Sequence, residues 1–394
     1  NFVQALDKLF ILNGTDNVFT MDSAESLTDE ANTNTDPPRT TIGEYMANNR
    51  LFLSGSLTEA YRDYVWFSDT AVPTTFNQST NVFKARTGTG GKVTGLKQFK
   101  DNELVIYKDD AILILDCTGA TPLSDWALTT INPSVGCKAG RTVVNAGNDH
   151  IFLGTDGVRL LSRTQFDKIK AGVISQPVQS IIDDINLDSV ANSCAGWINS
   201  KYVLAVPTGS HTEPDTLLIW DSLAATANQD PASAWTVITS EDWFPSCFAE
   251  FEFGDNYLSL VMGDSRELSQ VYQCFSGNLD DGKAITMIIR GPKHDADGSS
   301  DCIWGPLNLN FMGGVQSVFT MYASINGGTF TSLGTLDTTG DAILLPETLP
   351  FTLPMSADSI RGLFHVKQLG RGVTCQVELQ HSTYNQQPVF IDYT

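Results

Sequence analysis

The side chains that most often perform chemistry are dispersed along this sequence. The histidines form neither an H-E-x-x-H motif nor an i,i+4 pair, so they do not predict a zinc site on a helix face. The seven cysteines include no C-x-x-C pair, which favours reduced core thiols in a protein synthesised in the cytosol. The residues concerned are His150, His211, His294, His365 and His381, with Cys117, Cys137, Cys194, Cys247, Cys274, Cys302 and Cys375.

Two loops superficially match ligand-binding patterns. "TGTGGK" at residues 87–92 resembles a phosphate loop, but no Ser or Thr follows Lys92 and no helix is predicted after it, so a turn is favoured. "HDADGSSD" at residues 294–301 gathers Asp295, Asp297 and Asp301 around Gly298. The glycine does not stand at the EF-hand position and no glutamate closes the loop, which favours a solvated loop over a cation site.

Sugar chemistry has little specific support. "GTDG" at residues 154–157 lacks the tryptophan of the Asp-box found in sialidase propellers. The tryptophans could form a sugar-stacking surface, but most lie in strand-like runs, where core packing is favoured. No carboxylate pair is singled out for glycoside hydrolysis. The sequence therefore predicts no catalytic, cofactor-binding or metal-binding residues. The tryptophans are Trp66, Trp126, Trp197, Trp220, Trp235, Trp243 and Trp304.

Charge limits the classes of partner. The chain has 394 residues, a net charge of −21 and an isoelectric point near 4.4. Affinity for nucleic acid through phosphate neutralisation needs clusters of Lys and Arg and is not predicted. An acidic wall can instead line a path along which DNA passes without adhering. No apolar run reaches the roughly 18 residues of a membrane-spanning helix, so no membrane span is predicted.

The elements that must position these residues are predicted to be a series of β-hairpins. Each has two apolar runs around a polar turn, and an Asp-Gly turn is a strong hairpin signal because a type I′ turn needs positive φ at both central residues. Six such hairpins recur about 40 to 60 residues apart, a period typical of four-stranded propeller blades. They lie at residues 8–22, 49–76, 103–116, 150–162, 201–221 and 256–275.

This repeat predicts an all-β chain. Residues 1–280 are expected to form a β-propeller of about five to six blades. Its strands would be buried on both faces, which accounts for nearly continuous apolar runs such as "LVIY", "AILIL" and "TLLIW". A large β-sandwich or a β-solenoid is the alternative architecture for this region.

One short helix is predicted near residues 177–190. Val178, Ile181, Ile182 and Ile185 recur at three-to-four spacing, and Pro177 suits a first helical turn. This helix is expected to pack on one face of the preceding blade or on a neighbouring subunit.

Residues 281–394 have a different pattern, in which apolar and polar residues alternate more clearly. "SVFTMYASING" and "VTCQVELQHS" are examples, and Asn326-Gly327-Gly328 is a hairpin turn. The pattern predicts a C-terminal antiparallel β-sandwich. "PETLPFTLPM" contains too many prolines for a central strand and is expected to be a connection or an edge.

Part of the chain resembles a known family. "NRLFLSG", "YVWFSD", Pro73, Phe76 and "VTGLKQFKDNELVIYKDDAILIL" resemble a segment of the nozzle or tail hub proteins of short-tailed bacteriophages, also called tail tubular protein B or head-to-tail stabilisation proteins. "VGCKAGRTVVNAGNDHIFLGTDGVRLLS" and "YVLAVP…TLLIWD…AWT" are similar to the segments that follow. Together they cover roughly residues 40 to 240, and they are strand and turn residues of moderate specificity.

The resemblance implies a virion structural protein made in the host cytoplasm. Such proteins form a ring, commonly of six subunits, below the portal and adaptor, and the genome leaves through its channel. The implied partners are further copies of the chain, the portal and adaptor proteins, tail fibre or needle proteins, and DNA that passes without specific binding. The family contributes no catalytic residues, so Arg62 and Asp69 are expected to be loop and turn residues.

Two other functions stay open from the sequence. One is a receptor-binding or glycan-binding propeller of a tail fibre, which would bind glycans or cell surfaces saturably. The other is a glycan-processing propeller enzyme, which needs a carboxylate pair facing the propeller axis.

Overall fold

A computed structural model describes residues 1–86, 91–119, 121–163, 169–239, 243–254, 257–266, 270–277, 279–280, 282–295, 301–304, 307–312, 318–337, 361–366, 369–382 and 389–393. The chain divides into two compact units, Asn1–Phe275 and Ser276–Thr394. The sequence placed this boundary slightly later, between residues 280 and 281. Most described elements are antiparallel strands, which confirms the all-β prediction.

Within the described residues, the first unit contains six antiparallel sheets, each formed by one continuous segment of chain. Sheet 1 comprises β1 (Phe2–Ala5), β2 (Lys8–Ile11), β3 (Val18–Met21) and β4 (Leu27–Glu30). Sheet 2 comprises β5 (Ile42–Met46), β6 (Arg50–Ser54), β7 (Tyr64–Asp69), β8 (Val72–Phe76) and β9 (Val82–Lys84). Sheet 3 comprises β10 (Val93–Lys100), β11 (Glu103–Lys108), β12 (Ile112–Asp116) and β13 (Ala127–Asn132).

The remaining three sheets of this unit follow in chain order. Sheet 4 comprises β14 (Val144–Ala146), β15 (Asp149–Gly154), β16 (Gly157–Arg163) and β17 (Ile169–Val173). Sheet 5 comprises β18 (Cys194–Ile198), β19 (Lys201–Val206), β20 (Thr216–Asp221) and β21 (Trp235–Thr239). Sheet 6 comprises β22 (Pro245–Phe253), β23 (Tyr257–Asp264) and β24 (Val271–Gln273).

The six predicted hairpins are confirmed. In sheets 1 to 5 each hairpin joins the second and third strands, and in sheet 6 it joins β23 and β24. The turn between β15 and β16 is Thr155-Asp156, one residue earlier than the predicted Asp156-Gly157 centre, because Gly157 is the first residue of β16 and pairs with Gly154. Gly157 has φ +142°, a conformation that glycine adopts without steric cost.

Hydrophobic clusters lie between consecutive sheets of the first unit, one for each successive pair within the described residues. Strand β11 shows how a single strand supplies two of them. Leu104 and Ile106 belong to the cluster shared with sheet 2, whereas Val105 and Tyr107 belong to the cluster shared with sheet 4. Because successive side chains point to opposite faces, burial of both faces requires the continuous apolar run that the sequence shows.

Arg141 connects three of these sheets through backbone oxygens. It lies in a 3₁₀ turn, Gly140–Thr142, just before sheet 4. Its guanidinium donates to the carbonyl of Asn192, just before sheet 5, at 2.9 Å and to the carbonyl of Ser246, in sheet 6, at 3.0 Å. One charged side chain therefore satisfies acceptors on two neighbouring sheets.

The predicted helix at residues 177–190 is shorter than expected. A 3₁₀ turn over Gln176–Val178 leads into α1 (Gln179–Ile182), where the α-helix ends. The chain then turns away because Ile185 bridges to Thr208 and the Asn186 N–H donates to the carbonyl of Pro207. The predicted apolar face nevertheless packs in the cluster between sheets 4 and 5.

A second helix, α2 (Ser222–Ala227), follows β20. The Asp221 carboxylate accepts from the N–H groups of Leu223 and Ala224, both at 3.0 Å, which is a normal N-cap. This helix was not predicted from the sequence, which predicted one short helix only, near residues 177–190.

The second unit is also antiparallel. Its strands are β25 (Leu279–Asp280), β26 (Lys283–Ala284), β27 (Met287–Arg290), β28 (His294–Asp295), β29 (Cys302–Trp304), β30 (Leu307–Met312), β31 (Val318–Ile325), β32 (Thr331–Asp337), β33 (Arg361–Val366), β34 (Gly370–Gly372), β35 (Thr374–His381) and β36 (Val389–Tyr393). Its largest described sheet has the order β27-β35-β31-β32, with β28 also on β35. Phe319, Met321 and Ala323 alternate into the interior from β31, as the sequence pattern predicts.

Candidate functional site

A cleft of about 620 Å³ opens at one end of sheets 2, 3 and 4. Two turns form most of its wall: the β10–β11 turn at Asp101-Asn102 and the β14–β15 turn at Gly147-Asn148. Gly147 has φ +67°, which suits glycine in a tight turn. The lining residues are Glu44, Gln98, Phe99, Lys100, Asp101, Asn102, Glu103, Thr118, Asn145, Gly147, Asn148 and His150.

Glu44 supports the cleft wall from sheet 2. Its carboxylate accepts from the Gln98 N–H at 3.0 Å and lies 3.5 Å from the Lys97 ammonium. The Gln98 side chain in turn accepts from the Ala47 N–H at 3.0 Å. These contacts hold the start of sheet 3 against sheet 2, so the Glu44 carboxylate is already engaged within the protein.

His150 lies at the base of the cleft, where it connects sheet 4 to two strands of sheet 3. Its side chain is buried, with Nε2 2.9 Å from the Gln98 carbonyl and Nδ1 2.9 Å from the Tyr107 hydroxyl. A carbonyl oxygen can only accept, so Nε2 carries the proton and Nδ1 accepts from the tyrosine. Both ring nitrogens are therefore occupied in the neutral form.

Burial is the largest cause of the pKa shifts of His150 and Tyr107. It lowers the pKa of His150 to about 4, and the nearby Lys97 charge acts in the same direction, while the hydrogen bond to Gln98 opposes them. Burial also raises the pKa of Tyr107 well above its usual value. A neutral imidazole with two fixed partners is unsuited to abstract a proton from a substrate. The cleft therefore has hydrogen-bonding side chains around a floor that the His150–Tyr107 pair holds in place.

The predicted loop interpretations can be compared with the structure where it describes them. Residues 87–90 of "TGTGGK" lie outside the described residues. Lys92 is followed directly by strand β10 and not by a helix, and its N–H donates to Asp109 at 3.1 Å. Asp156 of the "GTDG" turn pairs with Arg159 at 2.6 Å. Both interactions are local to their hairpins.

The acidic loop lies mostly outside the described residues. Asp295 is in β28, and Asp301 lies 3.7 Å from the Arg371 guanidinium, while Asp297 is outside the described part. In the part of the chain that the structure describes, no cluster of three or more His, Cys, Asp or Glu side chains could hold a metal ion.

The tryptophans pack as predicted. Trp66, Trp220 and Trp243 are buried, and the other four lie half-buried. Each of the cysteines is a free thiol. Arg62 ends a 3₁₀ turn and Asp69 ends β7, where its carboxylate accepts from Asn81 at 2.9 Å. The prediction that these two are turn and loop residues is therefore consistent with their positions.

The His150 and Tyr107 pair has no signal in the sequence. The two residues are 43 positions apart and each lies in an ordinary apolar run. Only the packing of sheet 3 on sheet 4 brings them together.

Comparisons with known proteins give distant matches only. No protein-family profile matches the chain. No curated protein matches it either. No described helix is long and apolar enough to cross a membrane.

Three solved structures illustrate the level of similarity. The extracellular domain attributed to a one-component system of B. thetaiotaomicron is 9% identical with a TM-score of 0.37, over 69% of this chain and 34% of that one. An exo-β-1,3-galactanase from Phanerochaete chrysosporium is 10% identical with a TM-score of 0.33, over 97% and 100% of the two chains. A DUF4623 family protein from Bacteroides eggerthii is 9% identical with a TM-score of 0.36, over 67% of both.

This chain spans about a third of the length of the first of these proteins. All three TM-scores are too low to support a shared function.

Proposed function

We propose that the chain is a structural protein of a phage tail, a nozzle or tail hub that forms a ring below the portal and adaptor. In this proposal the first unit is a six-bladed β-propeller and the second a β-sandwich. The ring channels and retains genomic DNA and anchors tail fibre or needle proteins in the virion.

The observation that carries the proposal is the resemblance of residues 40–240 to that family. The resembling runs coincide with structural elements: "NRLFLSG" contains β6, "YVWFSD" is β7, and "ELVIYK" is β11. These strands have buried central residues that pack in the clusters between sheets. The resemblance therefore lies in residues that build the fold.

The stacked sheets support the propeller. The first strands of sheets 1 and 2, of sheets 2 and 3, of sheets 4 and 5, and of sheets 5 and 6 are in contact, which is how blades meet around an axis. Sheets 2, 3, 4 and 5 each pack against a neighbouring sheet on both faces, as the blades of a propeller do. Arg141 ties the last three sheets together in the same way.

Charge supports a conduit for DNA. A net charge of −21 per chain is multiplied by the number of subunits in a ring. The repulsion of each phosphate is screened over about 10 Å, so it prevents adhesion to the wall without blocking passage.

Labelling of intact virions tests the location. A Fab fragment raised against the first unit is expected to mark the tail axis directly below the portal in electron micrographs. Label on radially projecting fibres would contradict the proposal and favour the receptor-binding alternative. Hydrolysis of host polysaccharide by the isolated protein would contradict it in favour of an enzyme.

A further inference from the structure

The cleft at the ends of sheets 2, 3 and 4 contains amide side chains that the fold itself does not use. Asn102 lies in the β10–β11 turn, Asn145 in β14 and Asn148 in the β14–β15 turn. All three are exposed, and their side-chain amides make no hydrogen bond within the described part of the chain. Thr118, which follows β12, adds an exposed hydroxyl that is unpaired among the same residues. Three amides and one hydroxyl from two neighbouring sheets can therefore bind a ligand.

Hydrogen bonds beneath these groups fix the shape of the cleft. The Gln98 side chain accepts from the Ala47 N–H at 3.0 Å through Oε1, so its Nε2 carries two N–H groups, which have no partner among the described residues. The Cys117 N–H donates to the Asn102 carbonyl at 2.7 Å, which holds the β10–β11 turn against the end of β12. His150 connects the two sheets at the floor. A ligand would meet a preformed surface, so little binding free energy would be lost in ordering it.

Charge disfavours acidic ligands and metal ions in the cleft. Its ionisable lining groups, apart from the neutral histidine, are three carboxylates and one ammonium, from Glu44, Asp101, Glu103 and Lys100. This net negative lining would repel phosphate and carboxylate groups. The Glu44 carboxylate already accepts from the Gln98 N–H, and the described residues contain no cluster of three side chains that could hold a metal ion.

Apolar ligands are also disfavoured. Among the lining residues, Phe99 is the one large apolar side chain, and 9% of it is exposed. Its ring is occupied by an edge contact with the His150 ring, with centroids 5.0 Å apart. A bound peptide gains specificity from pockets for its side chains, and this lining offers no apolar pocket of that kind.

Neutral ligands rich in hydroxyl groups match the remaining chemistry. An amide side chain both donates and accepts, so a single amide can bind two adjacent hydroxyls of a sugar ring. The cleft volume of about 620 Å³ is within the range of small-molecule sites. We propose that the cleft binds a neutral oligosaccharide through Asn102, Asn145 and Asn148, with Gln98 as a donor from the floor. This site goes beyond the proposed ring and does not depend on it.

Saturation-transfer NMR and titration calorimetry of the whole chain test the ligand class. The probes are neutral trisaccharides of glucose, mannose, galactose and N-acetylglucosamine, with sialyllactose as an acidic sugar, spermine as a cation and tetra-alanine as a peptide. At least one neutral trisaccharide is expected to bind with a Kd of about 1 mM or tighter. Failure of all the neutral sugars to bind would overturn the proposal, and so would binding of only sialyllactose, spermine or the peptide.

Two variants test whether the sugar occupies this cleft. The double variant Asn102→Ala with Asn148→Ala removes one amide from each turn, and its affinity for the bound trisaccharide is expected to fall at least about tenfold. Gln4→Ala is the control, because it removes an exposed amide of sheet 1 that does not line the cleft. Its affinity should equal that of wild type. Wild-type affinity in the double variant would overturn the assignment to the cleft.

The outcome can be separated from that of the proposed ring. The substituted amides make no hydrogen bond within the described part of the chain, so both variants are expected to unfold in urea as wild type does. Saccharide binding does not by itself locate the chain in the virion, and the Fab label distinguishes the tail axis from the fibres. Binding by a chain at the tail axis would add sugar recognition to the nozzle. A chain that forms no ring but binds the sugar would leave this site standing.

Discussion

Replacing Asp63 with alanine is expected to lower the free energy of unfolding by about 3–5 kcal/mol. The Lys108 side chain is fully buried between sheets 2 and 3, and its ammonium lies 3.2 Å from the Asp63 carboxylate. Burial lowers the pKa of Lys108, while the hydrogen bond and charge of Asp63 oppose that shift. Removing the carboxylate takes the compensating negative charge away from a buried ammonium that also donates to the carbonyls of Ala85 and Arg86.

Urea unfolding of the variant measures this loss of stability. Two further variants show whether the loss comes from the unpaired buried charge or from the loss of an ion pair in general. Combining Asp63→Ala with Lys108→Met removes both charges and is expected to restore most of the stability, because methionine fills a similar volume. Glu59→Ala removes the carboxylate of the exposed pair with Arg62 and should cost about 0–1 kcal/mol. Equal losses from Asp63→Ala and Glu59→Ala would show that the buried charge is not what makes Asp63 important.

Protonation of His150 is expected to destabilise the fold as the pH falls from about 6.5 to about 4. The folded pKa lies below the ordinary value of 6.5, so the unfolded chain binds the proton more readily across this window. The stabilising contribution is complete above pH 6.5 and is lost as the pH falls toward the folded pKa. The shift corresponds to about 3 kcal/mol.

Protonation of His150 also disrupts a hydrogen bond. It would put an N–H on Nδ1, which now accepts from the Tyr107 hydroxyl, and that buried hydroxyl would need another acceptor. The same charge would lie near Lys97.

The measurement compares urea unfolding at pH 7 and pH 4.5 in wild type and in His150→Gln. The variant is expected to lose up to about 3 kcal/mol less than wild type between the two pH values, whatever its stability at pH 7. His211→Gln, at an exposed histidine, should retain the wild-type pH dependence. The same pH dependence in His150→Gln and wild type would contradict the assigned role.

Local pattern determined how much of the fold could be predicted. The hairpin around Asp156-Gly157 follows from the turn residues and the apolar runs beside it, and the run "LVIY" in β11 follows from burial of both faces. Helix α1 was predicted too long because the pairing of Ile185 with Thr208 is a tertiary contact that the 3.6-residue period does not contain.

The site residues could not be predicted from the sequence, because their positions depend on contacts between sheets. Lys108 stands at the end of a strand in "VIYKDD", where a solvated lysine is the usual expectation, yet it is buried against Asp63, 45 positions away. The alternation of Glu250, Phe251, Glu252 and Phe253 predicts a strand with one apolar face. That Phe251 is 54% exposed cannot be predicted from this alternation, because the exposure of a sheet face depends on which elements pack over it.

The subunit number and shape of the purified chain, alone and with the portal and adaptor proteins that we propose as its partners, test the central claim most directly. Light scattering with negative-stain imaging is expected to give a mass that is a multiple of 42.8 kDa and a ring with a central channel. A particle of 42.8 kDa that stays single in the presence of portal and adaptor would contradict the account.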